Sequence, residues 1–220
     1  MRNRRVFTGV AAIAALLLTV APTVPAPFGP AQAAHAQAPA GAVEYTVVPG
    51  ESEARYRVRE QLVRLSFPND AVGTTRAIEG RIVLDEQGRV VPAGSKVIVD
   101  LRDLRSDEAR RDNYVRRNTL ETDRYPTITF VPTELRGLRL PLPQGRSVPF
   151  QIVGDLTLRG VTRQVTWEAT GTAEGENVRV AAKTAFRFED FGLTQPRVSV
   201  VLSVDETIRL EADVLLRRGG

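Results

Sequence analysis

The segment Asp155–Trp167, DLTLRGVTRQVTW, carries apolar residues at even positions before Gly160 and at odd positions after it. Alternation with a period of two is typical of a half-buried β-strand, so two strands of opposite parity follow one another here. A two-residue loop formed by Arg159 and Gly160 produces this change of register. We therefore predict an antiparallel hairpin in which Gly160 adopts a positive φ, a conformation that is costly for a residue with a Cβ.

The hairpin register determines which side chains face each other across the two strands. Directly opposed residues share one face, so the apolar side chains collect on one side and the threonines on the other. The predicted pairs are Leu158 with Val161, Leu156 with Arg163, Gly154 with Val165, Ile152 with Trp167 and, on the outer side, Thr157 with Thr162.

The same alternation continues over most of the chain from Val43 and predicts about eight strands. The turns between them are short and rich in Gly, Pro and Asp, and no helices alternate with the strands. This pattern favours an antiparallel meander or barrel over a parallel α/β sheet. The apolar positions that mark the other strands are Ala54, Tyr56, Val58, Ile78, Ile82, Leu84, Val97, Val99, Leu101, Ile128, Phe130, Val178, Val180, Ala182, Phe186, Phe188, Ile208, Leu210, Ala212 and Val214.

One segment, from Ser106 to Pro126, breaks the alternation and is predicted to contain a short helix. Ser106 is a favourable N-cap, and acidic residues suit the first turn. The simplest interpretation of the charge run is a solvated helix face, and the alternative is a basic patch that recruits an anionic lipid surface. The predicted i,i+4 ion pairs are Asp107 with Arg111 and Asp112 with Arg116.

The N-terminus has the features of a signal peptide. A basic start, MRNRR, precedes an apolar run that is shorter than the roughly 20 residues needed to span a bilayer. Small-residue cleavage motifs end at Ala33 and Ala36. We predict a signal peptide and cleavage region over residues 1–36, a linker over 37–42 and an exported, periplasmic or extracellular domain over 43–218. An uncleaved N-terminal anchor is the alternative.

The composition excludes several classes of function. The chain has 30 Lys and Arg against 26 Asp and Glu, and cleavage near residue 36 removes three arginines and no acid, leaving 27 against 26. A nearly neutral domain lacks the electrostatic footprint of a nucleic-acid-binding protein. There is no Cys, and the single His35 lies in the predicted leader. Thiol and imidazole nucleophiles, His or Cys metal sites and disulfides are therefore excluded from the domain.

Three stretches occur together in order: RRDNYVRRNTLETDRYPTITF at 110–130, DLTLRGVTRQVTW, and FEDFGL at 188–193. In order and spacing the set resembles the exported, lipocalin-like YceI family of polyisoprenoid-binding domains, over about residues 45–217. We expect the matching positions to be mostly structural. They are Arg111, Asp112, Tyr125, Pro126, Phe130, Leu156, Thr157, Gly160, Val161, Thr162, Phe191 and Gly192.

The resemblance implies an all-β, eight-stranded antiparallel lipocalin-like barrel with one short helical insertion. It also implies an apolar interior that takes up an isoprenoid chain, such as a polyprenyl quinone or a polyprenyl phosphate-type amphiphile. The sequence departs from the family pattern where Glu51-Ser52 replaces His-Ser, where Asn113-Tyr114 replaces a His, and in the long link over residues 63–80. A different head-group preference, or a pocket closed to long chains, is consistent with these departures.

Two interpretations of the barrel interior are open. Eight strands can be filled by side chains alone, which would give an exported β-domain that acts as a protein-interaction or stress-related module. A barrel like those of the family would instead be a non-catalytic carrier, sequestrant or sensor of an isoprenoid lipid, in transient contact with the membrane. The candidate lining residues are Tyr56, Val58, Ile82, Val97, Val99, Phe130, Ile152, Leu156, Leu158, Trp167, Phe186 and Phe188.

Arg163 and Arg76 are the candidate head-group contacts. The register places Arg163 opposite Leu156 on the apolar face, where an unpaired charge is costly. Either its guanidinium reaches water at the barrel rim, or it contacts a phosphate or carbonyl head group at the mouth. The same argument applies to Arg76.

Catalysis by this domain would have to rely on carboxylates. The acidic pairs in the sequence consist of adjacent residues, and adjacent residues of a strand point to opposite faces, which disfavours glycosidase chemistry. We therefore expect no enzyme activity and no cofactor apart from a bound isoprenoid, and we leave a monomer or a homodimer open. The pairs are Asp107 with Glu108, Glu189 with Asp190, and Asp205 with Glu206.

Overall fold

The computed structural model describes residues 41–219, so the predicted signal peptide and the linker up to residue 40 lie outside the described residues. Within this range the chain forms twelve strands, the α-helix α1 (Ala109–Tyr114), a π-helical turn (Val115–Thr119) and two 3₁₀ turns (Pro92–Gly94 and Phe188–Phe191). No described helix is long and apolar enough to cross a bilayer. The strands are β1 Val43–Val47, β2 Glu53–Leu62, β3 Asn69–Thr75, β4 Ile78–Leu84, β5 Lys96–Asp100, β6 Arg105–Ser106, β7 Thr127–Arg136, β8 Val148–Leu158, β9 Val161–Glu174, β10 Asn177–Arg187, β11 Val201–Val204 and β12 Thr207–Arg218.

Eight strand positions close into an antiparallel barrel. The hydrogen-bonded neighbours around it are β1, β4, β5, β7, β8, β9, β10 and β12, and β12 pairs back onto β1. At three of these positions, two strands follow one another along the length of the barrel. Beside β12, the order is β1, β4, β5 along one part of the barrel and β2, β3, β6 along the other part. The predicted eight-stranded barrel with one short helical insertion is confirmed.

The hairpin that predicted this fold has the expected register. Leu158 pairs with Val161 and Ile152 with Trp167, and the Thr157 and Thr162 hydroxyl oxygens lie 2.8 Å apart on the outer face. Gly160 has a φ of 77°, as predicted. Arg159 also has a positive φ, of 51°, so both loop residues adopt the left-handed conformation of a type I′ turn.

The helix α1 begins later than predicted. Glu108 is the N-cap, because its carboxylate accepts a hydrogen bond from the backbone N–H of Arg110. The prediction of Ser106 as the N-cap is therefore wrong. The Ser106 hydroxyl accepts from the Glu108 N–H and donates to the Asp112 carboxylate at 2.6 Å, so it stabilises the turn that precedes the helix.

Only one of the two predicted helical ion pairs forms. Arg111 pairs with Asp107, whereas Asp112 is buried and accepts hydrogen bonds from the N–H and hydroxyl of Ser106. Arg116 instead donates to the carbonyl of Leu104 and to a side-chain amide. The interpretation of the whole charge run as a solvated face is wrong for Arg111 and Asp112, because both side chains pack against the barrel.

The strand directions place the loops at two ends of the barrel. The β2–β3 loop (63–68), α1 and the Arg159–Gly160 turn lie at one end, called here the helix end. The β7–β8 connection (137–147) and the β9–β10 turn (175–176) lie at the opposite end, called here the far end. These loops border the two ends of the barrel interior.

Candidate functional site

The barrel encloses an apolar cavity of about 890 Å³. Small-molecule sites in proteins span roughly 300–1,000 Å³, so this cavity is large enough for a bulky ligand. Its wall includes inward-facing residues of β1, β2, β4, β5, β7, β8, β9, β10 and β12. The interior of this barrel is therefore not filled by its own side chains.

All twelve residues predicted to line a cavity lie on its wall. Several of them are only half-buried although they point inward, because they face open space rather than another side chain. Val97 and Val99 of β5, Ile82 of β4 and Ile152 of β8 are examples. Their contact with a ligand stays a prediction.

A row of small side chains keeps the interior open. Four alanines are directly opposed on four neighbouring strands, in the order Ala54, Ala212, Ala182 and Ala169. Three of them, on β2, β12 and β10, line the cavity. Because a methyl group extends only a short way from the sheet, these three alanines leave more of the interior open than larger side chains would. The row ends at Phe150 on β8, which is opposite Ala169.

Phe130 and Trp167 form the aromatic part of the wall. Their ring centroids lie 5.8 Å apart in an edge-to-face arrangement. The Phe130 ring lies over Gly154, where a Cβ would approach Phe130 Cζ to 2.6 Å and the Val131 carbonyl oxygen to 2.5 Å. Gly154 is therefore required for the position of Phe130 and, through it, for the packing of Trp167.

A polar group of three residues interrupts the apolar wall near the helix end. Arg111 donates to the Glu60 carboxylate at 2.8 Å, and both side chains are largely buried. The Tyr56 ring lies over Gly73 on the next strand, where a Cβ would approach Tyr56 Cε1 to 2.2 Å. Burial raises the pKa of Tyr56 to about 12, so its phenol is a neutral hydrogen-bond donor at physiological pH.

Neither predicted head-group contact lies on the cavity wall. Arg163 is opposite Leu156 as predicted, but it is exposed and donates to the carbonyl of Thr162 at 3.3 Å. Arg76 pairs with Glu53 at 3.2 Å on the outer surface. Arg163 therefore lies at the barrel rim with its guanidinium in water, which is one of the two alternatives given above. Strand β9 begins there, so its first side chains reach water.

Besides Arg111, three arginines line the cavity. Arg55 is held in ion pairs with Glu53, Glu211 and Asp213, whereas Arg64 and Arg110 lie where the wall reaches the surface. Arg64 belongs to the long link that distinguishes this sequence from the family pattern, and Arg110 to the charge run. Their positions depend on how α1 packs against the β2–β3 loop, which strand parity does not reveal. Within residues 41–219, no three His, Cys, Asp or Glu side chains are close enough together to hold a metal ion.

The three motifs that carried the family resemblance meet at the helix end. Arg159 donates to the carbonyl of Gly192 at 2.8 Å and pairs with Glu121. Gly160 lies beside the Tyr125 ring, where a Cβ would be 3.3 Å from Cε1. Phe191 is 1% exposed and packs edge-to-face on a neighbouring Phe ring. These contacts join hairpin, helix segment and 3₁₀ turn, which is a structural role.

The sequence has clear relatives. The profile of the YceI-like domain matches residues 45–216. A UPF0312 protein of Pseudomonas putida strain W619 is 32% identical over 146 residues, which cover 62% of this chain and 71% of that protein. Protein YceI of Shigella flexneri is 30% identical over 148 residues, which cover 60% of this chain and 72% of that protein.

Solved structures share the fold at low identity. One is a polyisoprenoid binding domain from Saccharophagus degradans implicated in plant cell wall breakdown, with a TM-score of 0.59 and 12% identity over 80% of this chain and 98% of that one. BcnA of Burkholderia cenocepacia has a TM-score of 0.57 and 15% identity over 77% of this chain and 98% of that one. With the profile match over most of its length, the chain belongs to the YceI-like family.

Proposed function

We propose that this protein is a non-catalytic binder of an isoprenoid amphiphile, which it carries, sequesters or senses outside the cytoplasm. The observation that carries the proposal is the apolar cavity of about 890 Å³, held open by alanines on adjacent strands. The name of the Saccharophagus degradans domain, which describes polyisoprenoid binding, supports the choice of ligand class. The predicted leader over residues 1–36 supports the choice of compartment.

The energetics favour exchange with a membrane over capture from water. Transfer of about 40 carbons from water at about 0.8 kcal/mol per methylene gives a sum beyond any real binding free energy. A polyprenyl chain already resides in a bilayer, so moving it into an apolar barrel gains little hydrophobic free energy. Selectivity must then come from the shape of the cavity and from its polar groups.

The polar groups on the wall favour an uncharged head group. Arg111 is held between Glu60, at 2.8 Å, and Asp107, so its guanidinium is not free to bind an anionic head group. The protonated Tyr56 phenol is a donor suited to a carbonyl oxygen. We therefore propose a quinone-type isoprenoid as the preferred ligand, ahead of a polyprenyl phosphate, whose charge would have to remain near Arg64 and Arg110 at the surface.

A matched pair of variants tests binding inside the barrel. Ala182 faces the cavity and its neighbour Ala181 is exposed on the outer face of the same strand, so Ala182→Phe narrows the cavity and Ala181→Phe does not. The single tryptophan, Trp167, lies on the wall, where a bound quinone would quench its fluorescence. We expect polyprenyl quinone to quench the wild type and Ala181→Phe, and Ala182→Phe to bind at least about tenfold more weakly. Equal titration curves for the two variants would contradict binding in the cavity.

A further inference from the structure

Large apolar side chains are exposed on two segments at the helix end. Among the described residues, six large apolar side chains are exposed, and five of these lie in the β2–β3 loop and around β11. Phe67 is 80% exposed, an unusual position for an aromatic ring without a partner. The five residues, called here the rim patch, are Val63, Leu65, Phe67, Val200 and Leu202.

The two segments of the rim patch are continuous. The backbone N–H of Val63 donates to the carbonyl of Val200 at 3.0 Å, and β11 pairs with the end of β2. Val63 and Val200 are exposed and also line the cavity. The rim patch therefore borders the opening through which the cavity reaches the surface at this end.

The charges around the rim patch are positive. Arg64 lies between two patch residues, Arg110 lies on the cavity wall beside it, and Arg197 precedes β11 in the sequence. Across residues 41–219 the ion pairs do not involve any of these three arginines. Three acids lie at the same mouth, where Asp107 and Glu60 share Arg111 and Glu108 caps α1. Arg64 is near enough to Asp107 to help lower the pKa of that carboxyl, after the larger effect of Arg111.

We propose that the rim patch docks on a lipid bilayer that contains anionic lipids, with Phe67 and its neighbours inserted at the interface. The opening of the cavity would then face the acyl region, and the arginines would lie among the head groups. A second copy of the chain fits less well, because a twofold contact of the patch with itself brings Arg64 toward its own symmetry mate. Membrane docking by the rim patch rests on the proposed function in one respect, because ligand exchange is the reason for the contact with the bilayer.

Flotation with vesicles tests the docking surface directly. The probes are vesicles of phosphatidylcholine with phosphatidylglycerol and vesicles of phosphatidylcholine alone. We expect Phe67→Ser to weaken binding to the mixed vesicles about tenfold or more, from the lost apolar burial. Arg64→Gln should weaken it about fivefold, on the mixed vesicles and at low salt only. Leu140→Ser is the matched control, since Leu140 is the sixth exposed apolar residue and borders the cavity at the opposite end, in the far-end β7–β8 connection. It should float like the wild type.

The two proposals can fail separately. Phe67→Ser should keep the quinone quenching of Trp167 in detergent but lose transfer of quinone from vesicles, whereas Ala182→Phe should float normally and lose quenching. Flotation of Phe67→Ser at the wild-type level, or an equal loss for Leu140→Ser, would overturn the docking surface. A dimer in solution that Phe67→Ser converts to a monomer, with no vesicle binding by the wild type, would assign the patch to a second copy instead.

Discussion

Replacement of Arg111 by methionine tests the most buried charge contact of the barrel wall. Its guanidinium donates to Glu60 at 2.8 Å, and the two side chains are only 15% and 9% exposed. Arg136 and Glu134 form a pair of the same 2.8 Å length on the surface, where they are 51% and 53% exposed. Arg136→Met is therefore a control for a pair of the same length at the surface, with the difference that Arg111 also binds Asp107.

The expected cost follows from burial. Removal of one partner of a fully buried pair costs about 3–5 kcal/mol, because the other charge stays buried and unpaired. Glu60 borders a cavity that water can reach, so we expect about 2–3 kcal/mol for Arg111→Met. The surface pair should contribute at most about 1 kcal/mol. Combining Arg111→Met with Glu60→Gln should recover much of the loss, because no buried charge is then left unpaired.

Urea unfolding at neutral pH measures these differences for five proteins: the wild type, the single variants Arg111→Met, Glu60→Gln and Arg136→Met, and the double variant. The free energy of unfolding should fall for Arg111→Met, change little for Arg136→Met, and rise again in the double variant. The reasoning would be refuted if Arg111→Met and Arg136→Met were equally stable, or if the double variant were as unstable as the sum of its single changes predicts.

Three further predictions concern named side chains. Tyr56 should ionise near pH 12. Since its folded pKa exceeds the ordinary value of about 10, stability should fall as pH rises above 10, and Tyr56→Phe should remove the step in phenolate absorbance near pH 12. Gly154→Ala should cost roughly 1–3 kcal/mol in urea unfolding and shift the Trp167 emission, because the new methyl group displaces Phe130. The hydrogen bond from Arg57 holds the pKa of Glu211 below its usual 4.5, so this stabilisation is complete above pH 4.5 and is lost as pH falls. Arg57→Gln should therefore lower stability by less than about 1 kcal/mol at neutral pH, and by less still near pH 3.

Strand parity predicted about eight antiparallel strands in a meander or a barrel, and the resemblance to the YceI family selected the barrel. The change of parity at Gly160 determines the β8–β9 register, and inward positions on the other strands follow from the same period of two. All twelve predicted lining residues consequently lie on the cavity wall. Strand parity does not predict the positive φ of Arg159. That conformation follows from the type of turn, which the alternation of apolar residues does not specify.

Features that depend on distant contacts were not predictable in this way. Glu60 and Arg111 are 51 residues apart, and their pairing needs α1 to pack against β2. The cap of α1 was misassigned to Ser106 because Ser106 and Glu108 both offer a capping oxygen, and only the position of Asp112 decides between them. Arg64 reaches the cavity mouth through the same packing.

The sequence also did not decide whether the barrel interior is filled by side chains or contains a cavity. An alanine on a strand is compatible with a filled core or with a cavity, and the difference depends on what lies opposite. The register brings Ala54, Ala212 and Ala182 side by side, so that only methyl groups project into the cavity from these three strands at that level. Alignment of the small residues across predicted strand pairs would have indicated the cavity.

The central claim is that the cavity holds an isoprenoid, and mass spectrometry of an organic extract tests it most directly. The protein should be expressed with residues 1–36, the predicted leader, purified without detergent and compared with Ala182→Phe. We predict an isoprenoid near one molecule per chain in the wild type, and its loss in the variant. An extract without isoprenoid, from protein that also fails to take up added polyprenyl quinones and polyprenyl phosphates, would contradict the claim.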